Sequence, residues 1–159
     1  MVIISTRTVT TSERLILLTP QEAEQLRLSD TEWKRKTFRL AAPGWKGPVI
    51  FLEKPDLKDA SVEPPYVGTS SPVNLVVLFK ERNAPVDMGS LQVFGKKGIL
   101  KLSLTERLKP YLKSTSLEAP DVHVPPGRFL VEVSIQDVKG QKTKQSYRLW
   151  IMDEINPSK

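Results

Sequence analysis

Hydrophobic and polar residues alternate with a period of two along several stretches of this chain, as they do in half-buried β-strands. Residues 73–79, 129–135 and 147–151 place large apolar side chains at every second position. Each of these stretches predicts a strand with one face turned towards a hydrophobic core. Shorter apolar runs predict further strands at residues 49–52, 90–94 and 99–104.

Turn residues separate these runs. We expect a hairpin tip at residues 95–98, Gly-Lys-Lys-Gly, and a turn at residues 137–140, where glycine supplies a positive φ. Residues 53–72 contain four prolines and no sustained period, and they predict a surface loop.

The N-terminal part of the chain shows helix-start signals instead. Thr19-Pro-Gln-Glu22 and Ser29-Asp-Thr-Glu32 both have the spacing of a capping box, in which Ser or Thr and a Glu satisfy the first free N–H groups. They predict one interrupted helix or two short ones, docked through Leu26, Leu28 and Trp33 and acting as an accessory arm. A third such pattern, residues 103–106, predicts a short helix that runs to about Lys113.

These elements predict two regions. Residues 1–44 form a helical N-terminal arm, and residues 45–155 form a mainly β domain with one short helix between its strands. The composition agrees, because 13 prolines against 8 glycines in 159 residues favour short strands with stiff turns. Six or seven short strands separated by turn signals are typical of an antiparallel β-sandwich.

Residues 45–153 resemble bacterial Ig-like β-sandwich domains. The resemblance lies in a Ser-Pro before the strand at residues 73–79, a Leu-Thr turn at 104–105, a Pro-Pro-Gly before the strand at 129–135, and an Asp-x-x-Gly turn at 137–140. It implies an Ig-like fold and a role in adhesion, spacing or ligand binding. The chain lacks the cysteine pair of antibody-type domains. Many unrelated functions share this fold.

Composition excludes several kinds of chemistry. The chain has no cysteine, so it has no disulfide, thiol nucleophile or zinc–cysteine site, and its single histidine cannot form a two-histidine metal site. Asp121 and His123, which we expect in a loop at residues 121–125, lack a nucleophile placed by any motif. We therefore expect a protein that is not an enzyme and that uses no cofactor. Calcium stays open through acidic turn residues, although turn formation alone accounts for them. These residues are Asp87, Asp137, Asp153 and Glu154.

Positive charge is concentrated in the second half of the chain. Residues 80–159 carry a net charge of +5, and residues 96–113 alone also reach +5. This segment could bind an anionic polymer or an acidic partner, whereas sparse aromatic residues nearby make nucleic acid a weaker alternative. Its cations are Lys96, Lys97, Lys101, Arg107, Lys109 and Lys113.

Aromatic residues offer another candidate surface. Trp45, Tyr66 and Trp150 could form a platform on which sugar rings stack. Trp150 lies on the polar face of its predicted strand, so we expect the N-terminal arm to cover it.

The sequence thus favours a non-catalytic interaction or structural module of a bacterial cell-envelope or secreted protein, binding a protein or polymer. A carbohydrate-binding accessory domain and a nucleic-acid binder are the alternatives. No apolar run is long enough for a membrane span. Residues 1–7 show no signal-peptide pattern, but a signal can be removed, so a periplasmic or secreted location is expected with a cytoplasmic one as the alternative.

Overall fold

The computed structural model describes residues 15–35, 37–38, 46–59 and 62–152. Within these residues the protein is mainly β, with two mixed sheets, one two-stranded ribbon and three short α-helices. The strands are β1 (Leu15–Ile16), β2 (Thr37–Phe38), β3 (Val49–Lys54), β4 (Leu57–Asp59), β5 (Val62–Glu63), β6 (Tyr66–Ser70), β7 (Val73–Lys80), β8 (Val86–Lys97), β9 (Leu100–Ser103), β10 (Ser116–His123), β11 (Gly127–Asp137) and β12 (Lys142–Met152). The helices are α1 (Pro20–Leu26), α2 (Asp30–Lys34) and α3 (Thr105–Leu108), and a 3-10 turn follows α3 at Lys109–Tyr111.

Two sheets face each other across one hydrophobic core. The four-stranded sheet has the order β1-β10-β7-β3, and the six-stranded sheet has the order β4-β6-β12-β11-β8-β9. The pairs β1–β10 and β6–β12 are parallel, and the other neighbours are antiparallel. The buried apolar side chains of both sheets belong to a single cluster.

The predicted alternation is confirmed in part. Val133 and Ile135 of β11 are buried as expected, but Glu132 and Ser134 of the opposite face are buried as well. Phe79 of β7 packs into the same cluster from the opposite sheet. Full burial of such a side chain contributes about 1.5–3 kcal/mol, so these inner faces supply much of the stability of the fold.

The N-terminal helices form as predicted, and the first one enters the core. Thr19 and Glu22 make both hydrogen bonds of a capping box at the start of α1, and Pro20 occupies the first helical position. Leu26 at the end of α1 is 1% exposed and packs against Gly95 of β8. The predicted boundary at residues 44–45 lies outside the described residues, but the part before it shares the core of the sandwich.

Residues 53–72 were expected to form a loop, and this expectation is wrong. They contain the end of β3 and the short strands β4, β5 and β6. β6 has no apolar alternation of its own, and its position is fixed by parallel pairing of Tyr66–Ser70 with β12. Strands of two to five residues leave too little local pattern to be predicted, and β5 and β6 also pair with strands that are distant in sequence.

The predicted hairpin tip is also displaced. β8 continues through Lys97, and the turn consists of Gly98 and Ile99, with Gly98 at φ +57°. Gly95 serves packing instead, because a Cβ atom there would lie 2.7 Å from Cδ1 of Leu26. Gly98 is therefore required by the turn, and Gly95 is required by the close approach of Leu26.

Two further expectations need correction. The helix predicted from residues 103–106 to about Lys113 consists of α3 and the 3-10 turn that follows it, and it ends at Tyr111. It begins at Thr105 because Ser103 pairs in β9, and the N-cap Leu104 makes no side-chain cap bond. His123 ends strand β10 and does not lie in a loop. A register shift between Ala119 and Val122 interrupts the period of β10, which hid this strand from the sequence pattern.

None of the helices in the described residues is long and apolar enough to cross a membrane. The longest of them, α1, has seven residues.

We predict that Leu26→Ala lowers the free energy of unfolding by about 3 kcal/mol, because it opens a cavity between α1 and β8. Leu100→Ala, at a leucine that is 41% exposed, is the matched control and should cost less than about 0.5 kcal/mol. Urea denaturation of both variants measures the difference. Equal effects would contradict the docking of α1 in the core.

Candidate functional site

The N-terminal arm passes from the end of the sandwich to the outer face of the six-stranded sheet. α1 contacts the inner face at Gly95, as described above. The backbone N–H of Leu28 then donates to the carbonyl of Arg128 at 2.8 Å, and the ammonium group of Lys97 donates to the carbonyl of Arg27 at 2.9 Å. These bonds place α2 on the outer face, so the arm contacts both faces of the six-stranded sheet at one of its ends.

One carboxylate of α1 holds that helix to the sandwich. Arg107 of α3 donates from Nη1 to Oε1 of Glu22 and from Nη2 to Oε2, both at 2.7 Å. Nη1 of Arg107 also donates to the carbonyl of Leu17 at 2.6 Å. Glu22 accepts the backbone N–H of Thr19 as well, so a single side chain both caps the helix and docks it.

Two carboxylates of α2 repeat this arrangement. Glu32 completes the capping box with Ser29 and pairs with the ammonium group of Lys97 at 2.5 Å. Asp30 in the first turn pairs with Arg128 of β11. Three acidic residues at helix starts are therefore bound to three cations of the sandwich.

These contacts hold the arm carboxylates in their charged form. Hydrogen bonds from Arg107, and then from the backbone of Thr19, lower the pKa of Glu22 from 4.5 to about 2. Hydrogen bonding to Lys97 and the backbone of Ser29 lowers the pKa of Glu32 to about 2 as well. Arg128 lowers the pKa of Asp30.

Five of the six cations predicted to form an anion-binding surface are paired with acidic residues. Two of them, Lys97 and Arg107, hold the arm. Lys96 and Lys101 lie 3.4 and 3.9 Å from Glu132, whose side chain is 7% exposed, and Lys101 also lies over the ring of Phe94.

The other two cations, Lys109 and Lys113, lie in the 3-10 turn after α3 and just beyond it. Lys109 pairs with Glu106 at 3.0 Å, and Lys113 has no ion pair among the described residues. The excess charge of residues 96–113 is thus largely neutralised by acids from elsewhere in the fold, which sequence reasoning missed.

The predicted aromatic platform is assembled in part. Tyr66 and Trp150 lie side by side on β6 and β12, with ring centres 6.4 Å apart and planes tilted by 32°, so the pair is not coplanar. Trp33 of α2, which was not expected to belong to the platform, packs edge-on against both rings at 5.4 and 6.3 Å. Trp45 lies outside the described residues.

Arg148 lies beneath this aromatic cluster. Its guanidinium group is 5.0 Å from the ring of Trp33 and donates to the carbonyls of Trp33 and Pro64. The residue is 5% exposed. The arm thus covers Arg148 and packs Trp33 against Trp150, but it leaves Trp150 39% exposed, so the expected cover of Trp150 is incomplete.

A cleft opens beside the exposed part of Trp150. Its volume is about 480 Å³, and Arg27 and Arg128 both border it. Arg27 donates to the carbonyl of Pro126 at 2.9 Å and pairs with no carboxylate among the described residues. The residues that line the cleft are Arg27, Leu28, Pro126, Gly127, Arg128, Trp150 and Ile151. The cleft is thus lined by one indole ring and two arginines, of which Arg128 also pairs with Asp30.

The acidic turn residues shape their turns. Oδ1 of Asp137 accepts the backbone N–H groups of Lys139 and Gln141, and Oδ1 of Asp87 accepts that of Gly89. Oδ2 of Asp137 is buried without a hydrogen-bond partner. Among the described residues no group of three potential metal ligands occurs. Asp153 and Glu154 lie outside the described residues, so the calcium alternative stays a prediction.

Asp121 and His123 sit at the end of β10 and serve its pairing. The backbone N–H of Asp121 is bound by Oδ1 of Asn74, and the carbonyl of His123 accepts the N–H of Leu17 at 3.0 Å.

Comparisons with protein-family models, with curated proteins and with solved structures found no match.

We predict that acid releases α2. Because the pKa of Glu32 is lowered in the folded protein, its ion pair contributes fully above about pH 4.5, and this contribution is lost as the pH falls towards 2. Release exposes Trp33, so its fluorescence emission should shift to longer wavelength over this range. The Trp33→Phe variant identifies the signal.

Glu32→Gln keeps a side-chain acceptor for the cap but has no charge to lose. Its Trp33 emission should therefore already be shifted at pH 6 and should change less on acidification. A titration identical to that of the unmodified protein would contradict this role of Glu32. Far-UV circular dichroism over the same range separates release of the arm from global unfolding.

Proposed function

We propose that this chain is an Ig-like β-sandwich that acts as a non-catalytic interaction module of a bacterial cell-envelope or secreted system. Its partner is a protein or a polymer that binds on the outer face of the six-stranded sheet. The cleft beside Trp150 is the observation that carries the proposal, because it combines an exposed indole with two arginines. Such residues are enriched at binding surfaces.

The order of the strands supports the Ig-like assignment. β3, β7 and β10 follow one another in one sheet as strands A, B and E do in Ig domains, and β12, β11, β8 and β9 follow one another as G, F, C and C′. β6, which lies parallel to β12, takes the place of a first strand that crosses to the second sheet.

The distribution of charged groups supports a non-catalytic role. Enzymes concentrate perturbed carboxylates in a cleft, where they act on a substrate. Here the carboxylates with lowered pKa values, Glu22, Asp30 and Glu32, are bound to cations that hold the arm. The lowered pKa values of these carboxylates are thus explained by the ion pairs that hold the arm.

A carbohydrate-binding domain is the second candidate. Trp150 is 39% exposed, and a flat indole face is suited to stacking on a sugar ring. Nucleic-acid binding is less favoured, because it requires a row of free cations along the backbone path. The pairing of Lys96, Lys97, Lys101, Arg107 and Lys109 with acids removes that row.

Site-directed photo-cross-linking in the source cells tests the proposal. A photoreactive residue at Met152, which lies on the same face of β12 as Trp150 and is 38% exposed, should cross-link to an envelope component. The same residue at Phe51, which is 50% exposed on the four-stranded sheet, is the matched control and should give no such product. Equal cross-linking from both positions would contradict the site.

Fractionation of the same cells tests the location. We expect the native protein in the envelope or the medium, with an N-terminus processed by a signal peptidase and read by mass spectrometry. Recovery in the cytosol without processing would exclude the envelope proposal.

A further inference from the structure

The cleft beside Trp150 has a chemistry more specific than that of a general contact surface. Arg128 lies directly across the antiparallel ladder from Trp150, so the two side chains project from neighbouring positions on the outer face. On the other side Trp150 is opposite Gly68, and the space over this glycine is filled by Tyr66, whose ring centre lies 6.4 Å from that of Trp150. The part of Trp150 that stays exposed borders the cleft.

Arg27 reaches the cleft from the arm. Gly127 makes room for it, because a Cβ atom at this position would lie 2.7 Å from Nε of Arg27. The guanidinium group has five N–H donors, of which Nη2 uses one on the carbonyl of Pro126. Planar guanidinium groups match carboxylates in a bidentate geometry, so this arginine is suited to a carboxylate from outside the chain.

The neighbouring backbone does not favour a peptide as the ligand. At the cleft, β12 is paired on one side with β11 and on the other with β6. An extended peptide therefore has no free strand edge to which it could add. Recognition depends on side chains, namely one ring surface and two guanidinium groups.

From this geometry we propose that the cleft binds an acidic polysaccharide, with a uronate ring stacked on Trp150 and its carboxylate bound by Arg27 and Arg128. This inference rests on the proposed function as an interaction module and specifies its ligand class. A sugar acid joins an apolar ring face and a carboxylate within one residue, which is the combination that the cleft presents. The carboxylate replaces Asp30 as a partner of Arg128 or shares that arginine with it.

Isothermal titration calorimetry with a defined oligosaccharide tests this inference. The probe is α-1,4-linked tetragalacturonate, and the control ligand is its methyl ester, which has the same rings and linkages without the charge. We expect the charged form to bind at least tenfold more tightly and to lose affinity as salt is added. Equal binding of both forms, or binding of neither, would overturn the inference.

Variants separate the two contributions. Trp150→Ala should weaken binding of tetragalacturonate at least tenfold, whereas Phe51→Ala, at an exposed aromatic residue on the other sheet, should leave it unchanged. Arg27→Gln should also weaken it tenfold without affecting the methyl ester, and Arg27→Lys should restore part of the loss. A loss of both ligands in Arg27→Gln would indicate a structural defect and contradict carboxylate binding.

Competing ligands identify the other outcomes. Hexaglutamate or a single-stranded oligothymidylate that binds as tightly as tetragalacturonate, with the same dependence on Trp150, would overturn the assignment to a polysaccharide. If no glycan binds while the cross-link from position 152 persists, the ligand class is wrong and the proposed function stands. If both are absent, both fail.

Discussion

The carboxylate of Glu22 is the constraint on which the arrangement of the arm depends. It closes the capping box of α1, so the helix begins at Pro20, and it accepts two hydrogen bonds from Arg107. Bidentate pairs of this kind fix orientation as well as distance. The helix is thereby oriented with Leu26, its last residue, in the core beside β8. The hydrogen bond of Leu28 and the ion pairs of Asp30 and Glu32 then fix the position of α2.

The arm in turn defines the outer face of the six-stranded sheet. It brings Trp33 over Arg148 and against Trp150, and it places Arg27 at the border of the cleft. The ion pairs of the arm also neutralise Lys97 and Arg107, which would otherwise contribute to a basic surface. Docking of the arm therefore neutralises part of the basic segment and brings Arg27 into one cleft with Arg128 and Trp150.

Local sequence pattern was sufficient for the features that depend on neighbouring residues. The alternation around Phe129 predicted a core strand, and the spacing of Thr19 and Glu22 predicted a capped helix. The local pattern was insufficient where a residue or strand distant in sequence determines the structure. β6 is fixed by β12, and the charge of Lys97 is neutralised by Glu32 across 65 positions. Trp33 was expected only to dock, since nothing local shows that it meets Tyr66 and Trp150.

A double-mutant cycle between Glu22 and Arg107 measures how strongly this ion pair holds the arm. Glu22→Gln keeps an acceptor for the backbone N–H of Thr19, so the cap is retained while the ion pair is lost. We combine it with Arg107→Gln and measure the free energy of unfolding of the four proteins in urea at pH 7. A coupling energy of about 1–3 kcal/mol is predicted for a charged, bidentate pair in a partly buried position. A coupling energy of about zero would show that the Glu22–Arg107 pair does not hold the arm.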